Sequence, residues 1–362
     1  MPETTDVTTY TTIVAGAGPA GVMAAYQASA RGSVLLVDAA ALPRDKSCGG
    51  MLNEYSQEFL TSRFGALPED MVLEPAYVNF RYHDWDRRIL KPTELRFLNV
   101  DRSTFDAWLV ARLPESVTVL GATAVTGFVQ DADGVTVTLK NGGAERSVRS
   151  EFLIGADGPR SSVRRQLGVG SVATYVTLQD FCTVEGDLEP YFDCIYLRDI
   201  GDSFAYAYVV PKGPVAIVGS VFYPKTKRPH EKQDQALELL RRSLPLGASV
   251  KREAWVALSV REPGDVMPGE GRVLLAGEAG GFMSPSSGEG ISYALNTGWL
   301  AGNAVAEHDA ADVLAAYTAG SSHIAGNIRR KLKWLPFMES RAGKYLAGFV
   351  PTPIVSRITK GL

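Results

Sequence analysis

The chain has 362 residues, 45% hydrophobic and 21% charged, the make-up of a globular protein with a sizeable core and room for two intertwined lobes. A net charge of −3 argues against a nucleic-acid partner. Three cysteines without metal-ligand spacing, a polar Thr-rich start and no apolar run of ~18 residues argue against a metal centre, a signal peptide and a helical membrane span, so a cytoplasmic protein is expected.

Residues 10–15 (YTTIVA) form a β-branched run that reads as a buried parallel strand. It enters Gly16-Ala17-Gly18-Pro19-Ala20-Gly21, where Gly16 permits a tight turn, Gly18 lets backbone approach a pyrophosphate and Gly21 lets the next helix pack closely. An Ala-rich helix from Pro19 aims its positive end at the phosphates. A second strand, residues 33–37, ends at Asp38, close to the ~20-residue offset of an acid that binds a ribose hydroxyl. Strand, glycines, helix, strand and acid in this order predict a dinucleotide site.

Residues 71–98 and 175–222 are strand-rich with polar turns, as expected of a sheet that roofs a cavity. Short strands at 117–120, 122–130, 135–140 and 146–150 predict a small meander. Phe152-Leu153-Ile154 then runs into Gly155-Ala156-Asp157-Gly158, a further strand-to-helix junction that holds an acid near a phosphate or ribose. Tyr206 and Tyr208 alternate on a strand and share one face, either walling a substrate cavity or packing between sheet and core. A break at 223–228 precedes a helix at 231–242. Residues 277–291 (GEAGGFMSPSSGEGI) have the composition of a strand end turning into a helix that presents bare backbone to a flat ligand.

Residues 327–362 carry eight basic side chains against one acidic, a net +7 that leaves −10 on the rest. Aromatic residues are interleaved with these bases, so the segment reads either as a helix on an anionic membrane or over a greasy channel, or as a packed helix with a solvated basic face. The four histidines lie in no catalytic or metal pattern.

GAGPAG near the start, GADGPRSSVRR mid-chain and the late glycine-acid motif together resemble the para-hydroxybenzoate hydroxylase-like flavoprotein superfamily, over essentially the whole chain. That superfamily holds aromatic hydroxylases, flavin-dependent halogenases and geranylgeranyl reductases. The resemblance implies an α/β fold, with a Rossmann-like FAD-binding domain (residues 1–70, 99–174 and 262–325) interleaved with an antiparallel-sheet substrate domain (71–98 and 175–261) and a C-terminal helical segment (326–362). It implies that Gly16, Gly18, Pro19, Ala20 and Gly21 hold the FAD pyrophosphate and Asp38 the adenosine ribose. Arg102 would reach the flavin or its phosphates and Asp157 would stand near the pyrophosphate, with Arg44 and Ala124 as further cofactor contacts. Gly277 and Glu278 would meet the ribityl chain, although the family usually has Asp where Glu278 stands. Backbone at Gly288, Gly290 and Ile291 would face the pyrimidine edge and stabilise charge that develops there.

Pro43-Arg44-Asp45-Lys46-Ser47-Cys48-Gly49-Gly50 resembles the Pro-x-x-Lys-x-Cys-Gly-Gly loop of the geranylgeranyl reductase-like branch, with Cys48, Gly49 and Gly50 beside the isoalloxazine. Tryptophan-type halogenases carry Trp-x-Trp-x-Ile-Pro where this chain has Tyr206-Ala207-Tyr208-Val209-Val210-Pro211. The expected activity is therefore an FAD-dependent reductase or dehydrogenase acting on a C=C or C–C bond of an apolar, aromatic or prenyl-type substrate. The alternatives are a monooxygenase or halogenase acting through a C4a-hydroperoxide, and a flavoprotein that binds a lipid or prenyl chain without turnover. Cys48, Tyr206, Tyr208, Glu289 and Tyr293 are the candidate catalytic residues. No second GxGxxG follows a strand, so NAD(P)H, ferredoxin or another electron-donor protein is expected to reduce the flavin transiently.

Overall fold

A computed structural model describes residues 9–44, 46–197, 204–224, 226–351 and 353–354. Asp45 of the cysteine loop, part of the predicted strand region 175–222, and Arg357 and Lys360 of the basic tail lie outside the described residues.

The opening apolar run forms β1 (Thr9–Ala15), followed by α1 (Pro19–Ala28), with Pro19 at its first position, and by β2 (Val34–Val37), parallel to β1. After β3 (Met51–Asn53), Asn53 caps α2 (Glu54–Phe64) by accepting from the Ser56 N–H. β4 (Val72–Asp84) and β5 (Ile89–Val100) make a long hairpin, and Asp101 caps α3 (Arg102–Val110). Next come β6 (Val117–Leu120), β7 (Thr123–Gln130), β8 (Val135–Asn141), β9 (Ala144–Gly155) and α4 (Ser162–Leu167). β10 (Thr174–Val184), β11 (Tyr191–Tyr196), β12 (Phe204–Lys212), β13 (Val215–Phe222), α5 (Pro229–Arg241) and β14 (Leu246–Leu258) continue the chain. It finishes with β15 (Gly269–Glu270), β16 (Val273–Leu275), α6 (Ile291–Glu307), α7 (Val313–Gly320), α8 (Ser322–Glu339) and α9 (Arg341–Ala347).

Among the described residues the strands form two sheets. The first runs β15-β16-β9-β1-β2-β6, parallel from β16 to β6, with β7 and β8 joined to β9 as an antiparallel meander. The second runs β14-β10-β13-β12-β11-β4-β5-β3 and is antiparallel except where β11 meets β4. This is the α/β architecture expected, with one difference in detail. Residues 146–150 and 152–154 do not make two strands: β9 runs unbroken, pairing first with β8 and then with β1 and β16. Ser150, which breaks the apolar pattern, is buried with its hydroxyl on the Phe152 carbonyl, so the polar residue stays in the strand. The lobes are also less separable than the sequence implies. β5 and α8 run straight across 98/99 and 325/326, and β3, from the first segment, pairs into the second sheet.

Two glycines decide how the first sheet is covered. Gly298 and Gly302 lie four residues apart on α6 and so share one face. A Cβ at Gly298 would strike the Ala20 carbonyl oxygen, and one at Gly302 the Ala24 carbonyl oxygen. Helices α1 and α6 thus pack backbone to backbone at these two positions, with Gln27 beside Gly302 and Tyr26 stacked on Trp299 at the flank. Gly298→Val is expected to lower unfolding stability by about 1–3 kcal/mol, since overpacked sites relieve strain only by moving backbone. Urea denaturation beside the unaltered protein checks this, and an unchanged midpoint would contradict the packing.

Candidate functional site

Between the two sheets lies a cavity of about 1290 Å³. Every predicted cofactor contact except Gly21 lines it, as do Cys48, Tyr206, Tyr208 and Glu289. Gly21 sits behind the first turn, where a Cβ would strike the Gly16 carbonyl oxygen. Tyr293 is not at the cavity: it is fully buried, with its hydroxyl on Asn327 Oδ1 at 2.8 Å, which corrects its reading as a catalytic candidate.

One end of the cavity is polar and glycine-lined. The N-terminus of α1 carries no side-chain cap, because Gly18 precedes it, so its first N–H groups are free of intrahelical partners. Asp38 orders the neighbouring turns by accepting from the Ala17 N–H at 2.7 Å and the Ala40 N–H at 2.8 Å. Arg44 reaches Asp106 at 3.0 Å and lies 3.8 Å from Asp38. Arg102 also pairs with Asp106, at 2.9 Å. The Nε atoms of both arginines are buried with no hydrogen-bond partner. Asp157 caps α4 by accepting from the Ser161 hydroxyl and, at 2.7 Å, from the Ser162 N–H.

The cysteine loop crosses from this end to the second sheet. Burial pushes the Cys48 thiol up, but Arg102, the Gly50 N–H at 3.4 Å and Lys46 together bring it below the usual thiol value. Lys46 pairs with Glu278 at 3.1 Å, so Glu278 is neutralised at the cavity wall. Ser47 donates to Gln179 Oε1, and Gln179 Nε2 donates to the Tyr208 hydroxyl. Beneath the loop, Lys212 is buried and donates to the Gly50 carbonyl at 2.9 Å and the Val100 carbonyl at 3.1 Å. Burial lowers its pKa to about 7, against a weaker opposing pull from Cys48.

The late glycine stretch is less bare than its composition suggests. The Gly288 N–H donates to the Ser284 carbonyl at 3.0 Å. Glu289 accepts from the Ser292 N–H at 2.8 Å and the Ser292 hydroxyl at 2.7 Å. Glu289 thus lines the cavity while it braces the first turn of α6, and burial raises its pKa. Lys331 of α8 supports the same loop from behind, donating to the Ser284 hydroxyl at 3.1 Å and the Tyr293 hydroxyl at 3.2 Å.

Beyond Cys48 the cavity turns apolar. Phe80, Phe97, Phe192, Tyr206 and Tyr208 line it from the second sheet, and Trp334, Phe337 and Met338 from α8. Tyr206 and Tyr208 share the cavity face with ring centroids 6.2 Å apart. Tyr208 lies over Gly219, its cross-strand partner, where any Cβ would collide with the ring. Tyr206 donates to the Ser287 carbonyl at 3.3 Å, tying the second sheet to the late glycine loop.

Sequence reading missed Gln179, Lys212 and Lys331, though a signal existed for each. Gln179 alternates with Thr177 on β10, and both line the cavity. Lys212 continues the period-two row of Tyr206, Tyr208 and Val210 on β12. Lys331 falls on the buried row Ile324, Ile328 and Leu335 of α8.

A family model described as FAD binding domain matches residues 9–331. The chain belongs to this family. It is 27% identical over 289 residues to Protein CbrA of Escherichia coli O9:H4 (strain HS), which covers 78% of each chain, and is matched equally well by Protein CbrA of Shigella flexneri serotype 5b. Its fold is shared with a geranylgeranyl bacteriochlorophyll reductase-like protein from Thermoplasma acidophilum, at a TM-score of 0.80 and 19% identity over 98% of this chain and 92% of that one. It is shared too with the flavin-dependent brominase Bmp2, at 0.71 and 20% identity over 97% and 98%.

The chain is thus of an FAD-dependent oxidoreductase family, and the cavity fits that cofactor. The uncapped α1 N-terminus behind Gly18 suits a pyrophosphate, and the two unpartnered guanidinium Nε atoms are donors of the kind an anionic ligand satisfies.

Lys212 supplies a pH test of the site. Its folded pKa is depressed to about 7 from 10.5, so between those values the unfolded chain binds more protons and stability rises with pH. In that window the group adds up to about 1.4 kcal/mol per pH unit. Urea denaturation at several pH values from neutral to mildly alkaline should show a rising slope in the unaltered protein and a shallower one in Lys212→Met, where Lys331, lowered by burial to about 8, still contributes. Parallel slopes would mean that Lys212 titrates normally.

Proposed function

We propose that the chain is an FAD-dependent reductase or dehydrogenase that moves hydride between the flavin and a C=C or C–C bond of an apolar, aromatic or prenyl-type substrate. The observation that carries this reading is the position of Cys48: an activated thiol stands where the glycine-lined end of the cavity meets the aromatic end. In this reading Gly16, Gly18, Pro19 and Ala20 hold the pyrophosphate. Asp38 and Ala124 border the adenosine, and Arg44 and Arg102 complete the anion site. The first lobe of the chain carries the cofactor and the second the substrate. FAD, when bound, supplies hydride transfer and electron storage.

The protein's own part is position, exclusion of water and protons. Cys48 Sγ would give its proton to the carbon beside the one that receives hydride, breaking S–H and forming C–H. The thiolate left behind is stabilised by the Arg102 guanidinium and the Gly50 N–H. Tyr206 and Tyr208 keep their protons, because burial pushes both phenols well up, so they serve as hydrogen-bonding walls rather than bases. The higher TM-score to the geranylgeranyl bacteriochlorophyll reductase-like protein than to the brominase supports this order of readings, as do tyrosines in place of the halogenase tryptophans.

An anaerobic experiment separates the reductase from its oxygen-using alternative. Protein reduced with dithionite, or with NAD(P)H as the expected donor, should be reoxidised by a prenyl substrate without oxygen. Cys48→Ala should slow that step by about a hundredfold or more while the bound-flavin spectrum persists. Substrate-triggered oxygen consumption with a hydroxylated or halogenated product would instead establish a monooxygenase or halogenase.

A further inference from the structure

The basic C-terminal segment does two things at once. Of the twelve large apolar residues exposed among the described residues, six lie between positions 334 and 354, so half of the exposure is concentrated in this segment. Trp334 is 64% exposed and Phe349 60%. Three of the six (Trp334, Phe337 and Ile354) also line the cavity, so the patch surrounds its mouth.

The β4–β5 hairpin extends the patch. Its exposed Leu90 lies next to Ile89, which packs beside Gly348. The Arg87 guanidinium sits 4.5 Å from the Tyr345 ring centre, and the Tyr82 hydroxyl donates to the Lys344 carbonyl at 2.5 Å. These contacts fix α9 against the second sheet, so the patch belongs to the body of the protein.

Exposed charge beside this apolar surface is mostly basic, although Arg87 is paired with Asp84 at 2.6 Å and Asp86 lies on the same hairpin turn. Arg87, Arg88, Arg330, Lys333 and Arg341 are exposed around it. The one acid of the segment, Glu339, is engaged by Arg261 at 2.6 Å. The remainder of the chain carries the opposite sign.

We infer that this face docks on an anionic lipid bilayer, and that apolar substrate enters the cavity from the membrane through the mouth it surrounds. The inference does not depend on which reaction the site performs. Aromatic residues inserted at the headgroup boundary and basic residues around them are what interfacial binding requires. The acidic body is repelled by the same surface, which turns the mouth toward the lipid. A protein partner seated here would close the mouth, whereas a bilayer covers the patch and is itself a reservoir of apolar ligand. Among the described residues no helix is long and apolar enough to cross a membrane, so the contact is interfacial.

The test uses the full flavin-loaded chain and phosphatidylcholine vesicles with and without phosphatidylglycerol. Binding is expected with the anionic vesicles only, weakening as salt rises, with tryptophan emission quenched by brominated acyl chains. Trp334→Phe should remove much of that quenching. Arg88→Gln together with Lys333→Gln should weaken partitioning on the order of twentyfold. Phe349→Ser should reduce vesicle binding while turnover of detergent-dispersed substrate is kept, which separates docking from folding and catalysis. Failure to bind, or equal binding to both vesicle types, overturns the proposal. Lipid-free self-association that shields Trp334 from an aqueous quencher overturns it in favour of a second copy of this chain.

Discussion

The close contact of α1 with α6 is the constraint on which the site depends. The two helices come from opposite ends of the chain, yet their backbones touch because Gly298 and Gly302 face the carbonyls of Ala20 and Ala24. That contact brings two helix N-termini to the same cavity, one behind Gly18 and the other behind Gly290. Each helix end directs partial positive charge there, that of α6 being offset by the Glu289 carboxyl seated on it. The contact also fixes β16 relative to β1, since the loop after β16 leads into α6 while its strand pairs with β9. Tyr317 of α7 reinforces this by donating to the Leu275 carbonyl at 2.8 Å.

The charged side chains at the cavity follow from this arrangement. Arg44 and Arg102 share Asp106, and Lys46 pairs with Glu278, so most of the charge is neutralised pairwise. What remains is directional. Two buried guanidinium Nε atoms lack acceptors, and Cys48 is drawn toward the thiolate by Arg102. Lys212 adds to the positive potential while held by carbonyls rather than by a carboxylate, and its depressed pKa is the cost of that burial. An anion bound at this end would complete the hydrogen bonding that the protein leaves open.

The parts of this molecule set by local chemistry were legible in the sequence. The βαβ unit with its glycines and Asp38 is one, because each residue type answers a backbone need within a few positions. The cysteine loop was legible as a motif, but its partners were not: Gln179 and Lys212 arrive from strands far along the chain, and only their period-two rows marked their side. Glu289 was legible only in part for a related reason. A glutamate among glycines resembles a cavity acid, and its second task, accepting from the first turn of α6, depends on the serine three residues on. Ser150 misled, since a buried hydroxyl satisfied by its own strand does not end it.

The tail shows why net charge alone decides little. Counted as residues, 327–362 is a basic, aromatic segment, and the packed-helix reading holds for one face of α8 while another face borders the cavity. Resolved by helical period, α8 has a buried row (Ile324, Ile328, Lys331 and Leu335) and an opposite surface that exposes Trp334 and Phe337. The buried row places Lys331 against Ser284 and Tyr293, behind the loop that forms one wall of the cofactor end. The exposed side forms the mouth at the other end. One helix therefore braces the polar end of the cavity and borders its apolar opening, and a lysine that would add charge to a surface instead donates to two buried hydroxyls. Position on the period, not residue type, separates these roles.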